Sequence, residues 1–463
     1  MSRTSTHRRE FLRRTGGMLS AGVALAVDPS ASRAESPKSK NDRPRIGAIG
    51  VGGRGLADTK WAAKFGEVVA VCDVDRNKAE AARAAFGEKP QVYGDYRKLL
   101  DRKDIDVVVN GTPDHWHTAV CADACRAGKD VYTEKPLTLT IEEGQLLRRV
   151  VEETQRVVQV GTQQRSEKPF QTAVELVRNG RVGKLRQVWV ALPYFSTKGG
   201  PFPPVPVPEH LDWDMYQGQA PLRPYCKQRT HSNFRWWYEY AGGIITDWGN
   251  HHVDIAHWGM DCELAGPVSI EARGLFPNPQ GEQYYNTPDR FFCRMLYPNG
   301  VEVLYFASLN QRRRYGEVEE NVPTTPEQVD WLFGKDVPKE IKAYDRDGIM
   351  FIGDAGRVFV NRGGVYGKPV EELASHPLPS EAWRVRPSTD HMANFFDCVK
   401  SRQEPVSPVR IQHRTVTACH LTNISLRLGR KLAWDPQSEH IVGDAEADSW
   451  LRREQRAPYR IRG

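Results

Sequence analysis

The chain has 463 residues, 39% of them hydrophobic and 27% charged, with a formal net charge of +7. That length allows two domains with cores of their own and excludes a minimal scaffold stapled by disulfides. Six arginines against Glu10 and Asp28 put +4 on residues 1–34, leaving about +3 on the rest; with no basic stripe interleaved with aromatics, a nucleic-acid partner is not expected.

Thr6-His7-Arg8-Arg9-Glu10-Phe11-Leu12 precedes a short apolar stretch from Met18 to Val27 and a small-residue site at Ser32-Arg33-Ala34. The apolar stretch is far shorter than the roughly 20 residues a spanning helix needs. Basic, apolar and cleavage segments stand in the order of a secretory leader. The arginine pair makes residues 1–34 a twin-arginine signal, so the expectation is a periplasmic or otherwise exported protein handed to the twin-arginine translocation machinery. Such a protein folds in a reducing compartment. Its eight scattered cysteines, with no C-x-x-C among them, are expected buried and free.

From residue 44 the pattern alternates. Ile46–Ile49, Val68–Cys72, Val107–Asn110, Val131–Thr133 and Val157–Val160 read as short buried strands. Helical patterns fall between them at Leu56–Phe65, Asn77–Phe86, Thr118–Ala127 and Ile141–Thr154. Repeated β-α-β units imply an α/β domain with a doubly wound parallel sheet, of Rossmann type, over residues 44–165. Gly50-Val51-Gly52-Gly53-Arg54-Gly55 sits at the first strand-to-helix turn. Gly50 permits the tight turn, Gly52 lets the backbone approach a pyrophosphate, and Gly55 lets helix and strand pack closely. Gly53 and Arg54 stand in the same turn, whose free amides can hold an anion. Asp73, ending the next strand, can accept from both ribose hydroxyls and would repel a 2′-phosphate. This favours NAD over NADP, although Arg76 nearby could meet a phosphate.

Two further segments are more specific. Gly111-Thr112-Pro113-Asp114-His115-Trp116-His117 follows a strand, where such sheets place ligand-binding loops. Ala127-Gly128-Lys129 then leads through a strand to Glu134-Lys135-Pro136. Together with the glycine fingerprint these resemble the glucose-fructose oxidoreductase / inositol dehydrogenase (Gfo/Idh/MocA) family, whose pattern is T-P-N-x-x-H, A-G-K and E-K-P. The resemblance spans residues 44–435. It implies a Rossmann domain followed by an α+β domain with a large, open, mostly antiparallel sheet that also serves oligomer contacts. It further implies that Thr112, Pro113, His117 and Glu134 lie on the cofactor side, and that Lys135 reaches the nicotinamide and the reacting carbon. The family asparagine is Asp114 here.

The pattern changes after Gly161-Thr162-Gln163-Gln164-Arg165, where Gln163 and Arg165 are candidate substrate contacts. A helix ends near Asn179-Gly180. Strands follow at Leu185–Tyr194, Val268–Ala272, Phe291–Tyr297 and Val301–Ser308, the last two joined by a Pro298-Asn299-Gly300 turn. A second hairpin is expected around Asp354-Ala355-Gly356. Residues 166–435 thus read as the α+β domain and 436–463 as a polar tail wrapping the surface. Asp247 and His251 are one helical turn apart. The resemblance places such a pair opposite the nicotinamide, where the histidine can take a hydroxyl proton and the aspartate can orient it. His252 and Asp254 follow, but H-H-x-D has no standard ligand spacing, and no metal is expected. His252 is a candidate substrate contact, with packing the alternative. The aromatic run from Phe234 to Tyr240 offers Trp237 and Tyr238 either to a sugar ring or to the core.

The resemblance implies an NAD(P)-dependent oxidoreductase acting on a sugar or cyclitol, in a homo-oligomer. Exported, it would hold its cofactor tightly and recycle it within each cycle. The alternatives are an NAD-dependent glycoside hydrolase working through transient C3 oxidation and elimination, and a non-catalytic NAD- or sugar-binding protein.

Overall fold

Short runs of valine, isoleucine and alanine, each closed by a glycine or polar turn, build the first sheet of the computed structural model, which describes residues 43–312, 324–334 and 336–463. The leader lies outside the described residues. The elements run β1 (Arg45–Ile49), α1 (Gly53–Ala62), β2 (Glu67–Cys72), α2 (Arg76–Ala85), β3 (Gln91–Tyr93), β4 (Val107–Asn110), α3 (Asp114–Arg126), β5 (Asp130–Thr133), α4 (Ile141–Thr154) and β6 (Val158–Val160). The sheet order is β3-β2-β1-β4-β5-β6, with every neighbouring pair parallel. The order reverses between β1 and β4, which opens a crevice at their carboxyl ends. Two helices start earlier than their apolar spacing suggests, α1 at Gly53 and α3 at Asp114. Their first turns carry site residues in place of core residues. β3 is three residues long and partly exposed, so its pattern is too weak to read in advance.

The second domain continues with α5 (Lys168–Arg178), β7 (Leu185–Tyr194), α6 (Ile244–Asp247), α7 (Gly249–Gly259), β8 (Ser269–Leu275), β9 (Arg290–Leu296), β10 (Glu302–Arg312), β11 (Gly348–Gly353), β12 (Arg357–Asn361) and β13 (Gly364–Tyr366). Then come α8 (His391–Ser401), α9 (Val409–Leu428), β14 (Leu432–Asp435) and β15 (His440–Ile441). Nine strands form one sheet in the order β13-β12-β11-β7-β10-β9-β8-β14-β15. β7 and β10 run parallel, and the other neighbours run antiparallel. One face, with Val188, Val190, Met295 and Phe351, packs on Phe170 and Val174 of α5, Val253 of α7 and Ile424 of α9. The opposite face, with Phe292, Leu304 and Phe306, is covered by Leu332 and Phe333.

Three stretches tie the second domain to the first. The segment after β7 docks on the carboxyl end of β2: the Arg76 amide donates to the His210 carbonyl at 2.8 Å, and the Asp212 amide to Val74 at 2.9 Å. Helix α8 belongs by packing to the first sheet, although the sequence reading places it within residues 166–435. Its Met392, Phe395 and Phe396 share a core with Ile46, Val71 and Tyr132. The tail also returns. Tyr459 meets the edge of Trp116 at 5.8 Å between ring centres and donates to Asp214 at 2.8 Å. All eight cysteines are buried and unpaired, as their scattered spacing leads one to expect. Among the described residues no helix is long and apolar enough to cross a membrane.

Candidate active site

A cavity of about 690 Å³ lies in the crevice between the two domains. At one end it is walled by the glycine turn. Gly50 has φ +73°, and a Cβ there would stand 2.5 Å from the Thr112 amide nitrogen. A Cβ on Gly55 would collide with the Gly50 carbonyl oxygen, so helix and turn touch with no room to spare. A Cβ on Gly52 meets nothing within 4 Å, so the turn faces open space on the cavity side. Free amides at the start of α1, an empty cradle before them and a carboxylate at the end of β2 fit a dinucleotide.

Asp73 accepts from the Val51 amide at 3.0 Å and the Asp75 amide at 2.9 Å, which fixes its carboxylate across the turn. Burial raises it to about 6, and the two amides oppose that rise. Asn110, at the end of β4, accepts from the Thr112 hydroxyl at 2.8 Å, and its side-chain amide donates to Thr133 at 3.1 Å. The His117 ring lies 2.6 Å from the Pro136 carbonyl and 2.8 Å from the Thr112 carbonyl, joining the two loops behind the cavity. Glu134 is buried and accepts from Arg54 at 3.2 Å and from Gln163 at 3.0 Å.

At the other end stand Lys135, Asp247 and His251. The Lys135 ammonium donates to the Asp247 carbonyl at 2.9 Å and is ion-paired with that residue's carboxylate. Arg235 approaches the second carboxylate oxygen at 3.4 Å. Burial alone would raise Asp247, but Lys135 and Arg235 hold it below the usual carboxylate range. His251 packs edge-on against Trp248, and its Nδ1 is buried with no hydrogen-bond partner among the described residues. Burial, reinforced by Lys135 and Arg362, keeps its pKa well below that of free imidazole. The aspartate expected to orient this histidine is instead bonded to the lysine, with Arg235 on its other oxygen.

Five candidate contacts lie off the cavity wall. Arg76 is exposed at the start of α2; Lys78, two residues further on, reaches the wall. Arg165 is buried in an ion cluster, bidentate to Asp254 at 2.7 Å and bonded to Glu263 at 2.8 Å. Trp237 is a core residue whose indole donates to the Gln228 carbonyl at 2.8 Å. The Tyr238 ring is sandwiched between Arg427 at 3.5 Å and Arg453 at 3.8 Å. His252 faces β7, with its Nδ1 3.1 Å from the Ala191 carbonyl. Asp247, His251, His252 and Asp254 thus diverge, and among the described residues no group of three such side chains is placed to hold a metal. The wall instead gains Tyr216, Phe234, Arg235 and Arg362 from short helical turns and a hairpin turn distant in sequence. Only the first two positions of the aromatic run, Phe234 and Arg235, face inward.

The model of an oxidoreductase family with an NAD-binding Rossmann fold, Gfo/Idh/MocA, matches residues 44–162. The model of that family's C-terminal alpha/beta domain matches residues 189–304 and 346–461. The chain is 32% identical to an alpha-N-acetylgalactosaminidase of Shewanella oneidensis over 202 residues, covering 39% of this chain and 44% of that protein. It is 36% identical over 159 residues to a glycosyl hydrolase family 109 protein of Shewanella sp. strain ANA-3, covering 29% and 35%. The chain thus spans less than half the length of these curated relatives. Among solved structures it is similar to the WlbA dehydrogenase of Chromobacterium violaceum, in complex with NADH and UDP-GlcNAcA, with a TM-score of 0.61, 16% identity, and coverage of 86% of this chain and 98% of that one. The aldose-aldose oxidoreductase of Caulobacter crescentus gives a TM-score of 0.57, 16% identity and coverage of 84% and 99%. These likenesses establish the fold: an NAD-binding Rossmann domain joined to an α/β domain with a mixed sheet.

Proposed function

Since the chain belongs to the Gfo/Idh/MocA oxidoreductase family, we propose that it moves a hydride between NAD and a hydroxyl or carbonyl of a sugar or cyclitol. One observation carries this reading: the glycine turn and the Lys135–Asp247–His251 group wall a single cavity. Gly50, Gly52, Gly53, Arg54 and Asp73 hold the nucleotide, and Thr112, Pro113, His117 and Glu134 support its nicotinamide end. Bound NAD supplies the carbon that accepts or returns the hydride.

The side chains supply the rest. Lys135, fixed by Asp247, directs an N–H at the reacting oxygen and stabilises the charge that builds there. His251 is neutral at physiological pH and takes the hydroxyl proton as the C–H bond gives up its hydride. Gln163, also on the wall, is the remaining candidate contact for the sugar.

A second reading is favoured by the names of the curated relatives, which are glycosidases. There the same oxidation is transient. A ketone at C3 acidifies the neighbouring C–H, the glycosidic bond is lost by elimination, water adds across the resulting double bond, and the ketone is reduced again. We propose further that residues 1–34 direct export of the folded protein with NAD aboard, supported by the Arg8-Arg9 leader. We also propose that the second sheet joins copies into a homo-oligomer, supported by the half-exposed Leu296 and Trp331 on its outer side.

The test is direct. The purified protein is denatured and its supernatant assayed for NAD; the native protein is then offered pairs of free sugars and, separately, aryl glycosides. Reduction of the bound nicotinamide by one sugar, reversed by a second, supports the first reading. Aglycone release without an added oxidant supports the second. Absence of nucleotide together with full activity of Lys135→Met overturns both.

A further inference from the structure

The cavity holds another carboxyl to which the scheme above gives no task. Asp114 opens α3, lines the cavity with Lys135 and Asp247, and is 5% exposed. No cation is ion-paired with it among the described residues, although Lys135 and Arg235 are near enough to act on it. Asp247, by contrast, is held by both Lys135 and Arg235. Two carboxyls sharing a buried site do not both ionise at neutral pH, and the one that owns the ion pairs keeps the charge. We infer that Asp114 is carried as a neutral carboxylic acid and donates its proton to a substrate oxygen in this cavity.

The groups that face it decide its state. Asp247 comes from α6, Lys135 from the loop after β5, Arg235 from the aromatic run, and Tyr216 from the segment docked on β2. Burial pushes Asp114 up to about 8, and Asp247 adds to the rise; Lys135, Arg235 and the Asp114 amide oppose it without prevailing.

The role rests on the second reading above and deepens it. Hydride transfer from a hydroxyl needs one proton acceptor, whereas elimination needs an acceptor and a donor. A base takes the C–H proton beside the transient ketone, the bond from carbon to the glycosidic oxygen breaks, and a carbon–carbon double bond forms. The departing oxygen keeps the electron pair and takes the Asp114 proton. Water then adds across the double bond: its hydroxyl goes to the sugar carbon, one proton returns to the Asp114 carboxylate, and the base returns the C–H proton. The cycle consumes water alone.

Infrared spectroscopy of the NAD-loaded protein with ¹³C-labelled aspartate tests the protonation without any substrate. The expected result is a protonated-carboxyl component at neutral pH that Asp114→Asn removes, leaving any contribution of buried Asp58, and that fades as pH passes about 8. A protonated-carboxyl region unchanged by the substitution overturns the inference. A second arm compares aryl and alkyl glycosides. Asp114→Asn should slow cleavage of alkyl glycosides by about 10²–10⁴-fold and cost progressively less as the leaving group becomes more acidic. A uniform loss, or none, overturns the donor role. A protein that shows the band but cleaves no glycoside overturns the elimination reading and the donor role with it, leaving the neutral carboxyl and hydride transfer standing.

Discussion

Lys135 is joined to Asp247 twice, through the backbone carbonyl at 2.9 Å and through the carboxylate. One bond would let the ammonium swing; two hold it over the cavity. The pair also crosses from the first domain to the second, so the position of the lysine depends on both. Replacing Lys135 by Met should lower kcat/KM for sugar-dependent reduction of the bound nicotinamide by about 10²–10⁴-fold. NAD content after denaturation should be unchanged. A fall in NAD content equal to the fall in activity would show that the lysine holds the cofactor and takes no part in the reaction.

The histidine makes a prediction in pH. Burial, then Lys135 and Arg362, favour its neutral form, so the acid limb of the kcat/KM profile should lie below the ordinary imidazole value of about 6.5. Removing a neighbouring cation makes protonation easier. The limb should therefore move upward in Lys135→Met, measured on the residual activity. A limb at the ordinary value, unmoved by the substitution, would remove His251 from the role of base.

Two glycines three residues apart separate folding from binding: Gly55→Ala places its Cβ against the Gly50 carbonyl, whereas Gly52→Val fills open space. The backbone of Gly52 is extended, at φ −77° and ψ 165°, and tolerates a side chain. Gly55→Ala should cost about 1–3 kcal/mol by urea titration. Gly52→Val should stay within about 0.5 kcal/mol of the parent when both are stripped of nucleotide, yet purify with far less NAD. Equal NAD content in Gly52→Val would show that the cradle is not the pyrophosphate seat.

Arg165 is a structural prediction that the sequence reading would not have made. It neutralises Asp254 and Glu263 in a buried cluster, with Trp258 stacked 4.9 Å from its guanidinium. Arg165→Met leaves Asp254 without a cation and should destabilise the fold by about 3–5 kcal/mol, seen as a lower urea midpoint. KM for the sugar should not change in the folded fraction. A raised KM with unaltered stability would restore the substrate role.

Most of the nucleotide end could be read in advance, because Gly50, Gly52 and Gly55 act through local backbone geometry and stand next to each other in sequence. Lys135, Asp247 and His251 were also legible, but the partner of Asp247 was not. The one-turn spacing points to His251, whereas Lys135 and Arg235, which pair with the carboxylate, lie 112 and 12 residues away in the sequence, where no local periodicity marks them. Arg165 looked like a ligand because its acidic partners lie far along the chain. Trp237 and Tyr238 carried two meanings, and packing chose between them. Arg235 comes from a six-residue 3-10 helix and Arg362 from a hairpin turn, both too short for periodicity to mark which side faces inward.

Helix α8 and the tail give the molecule an unusual order of completion. The nucleotide-binding half is made first, yet its core includes Met392, Phe395 and Phe396, and its flank includes Tyr459 and Ile461. A fragment that stops before α8 would leave those sides of the parallel sheet bare, so the first domain borrows part of its covering from chain that follows the second domain's sheet.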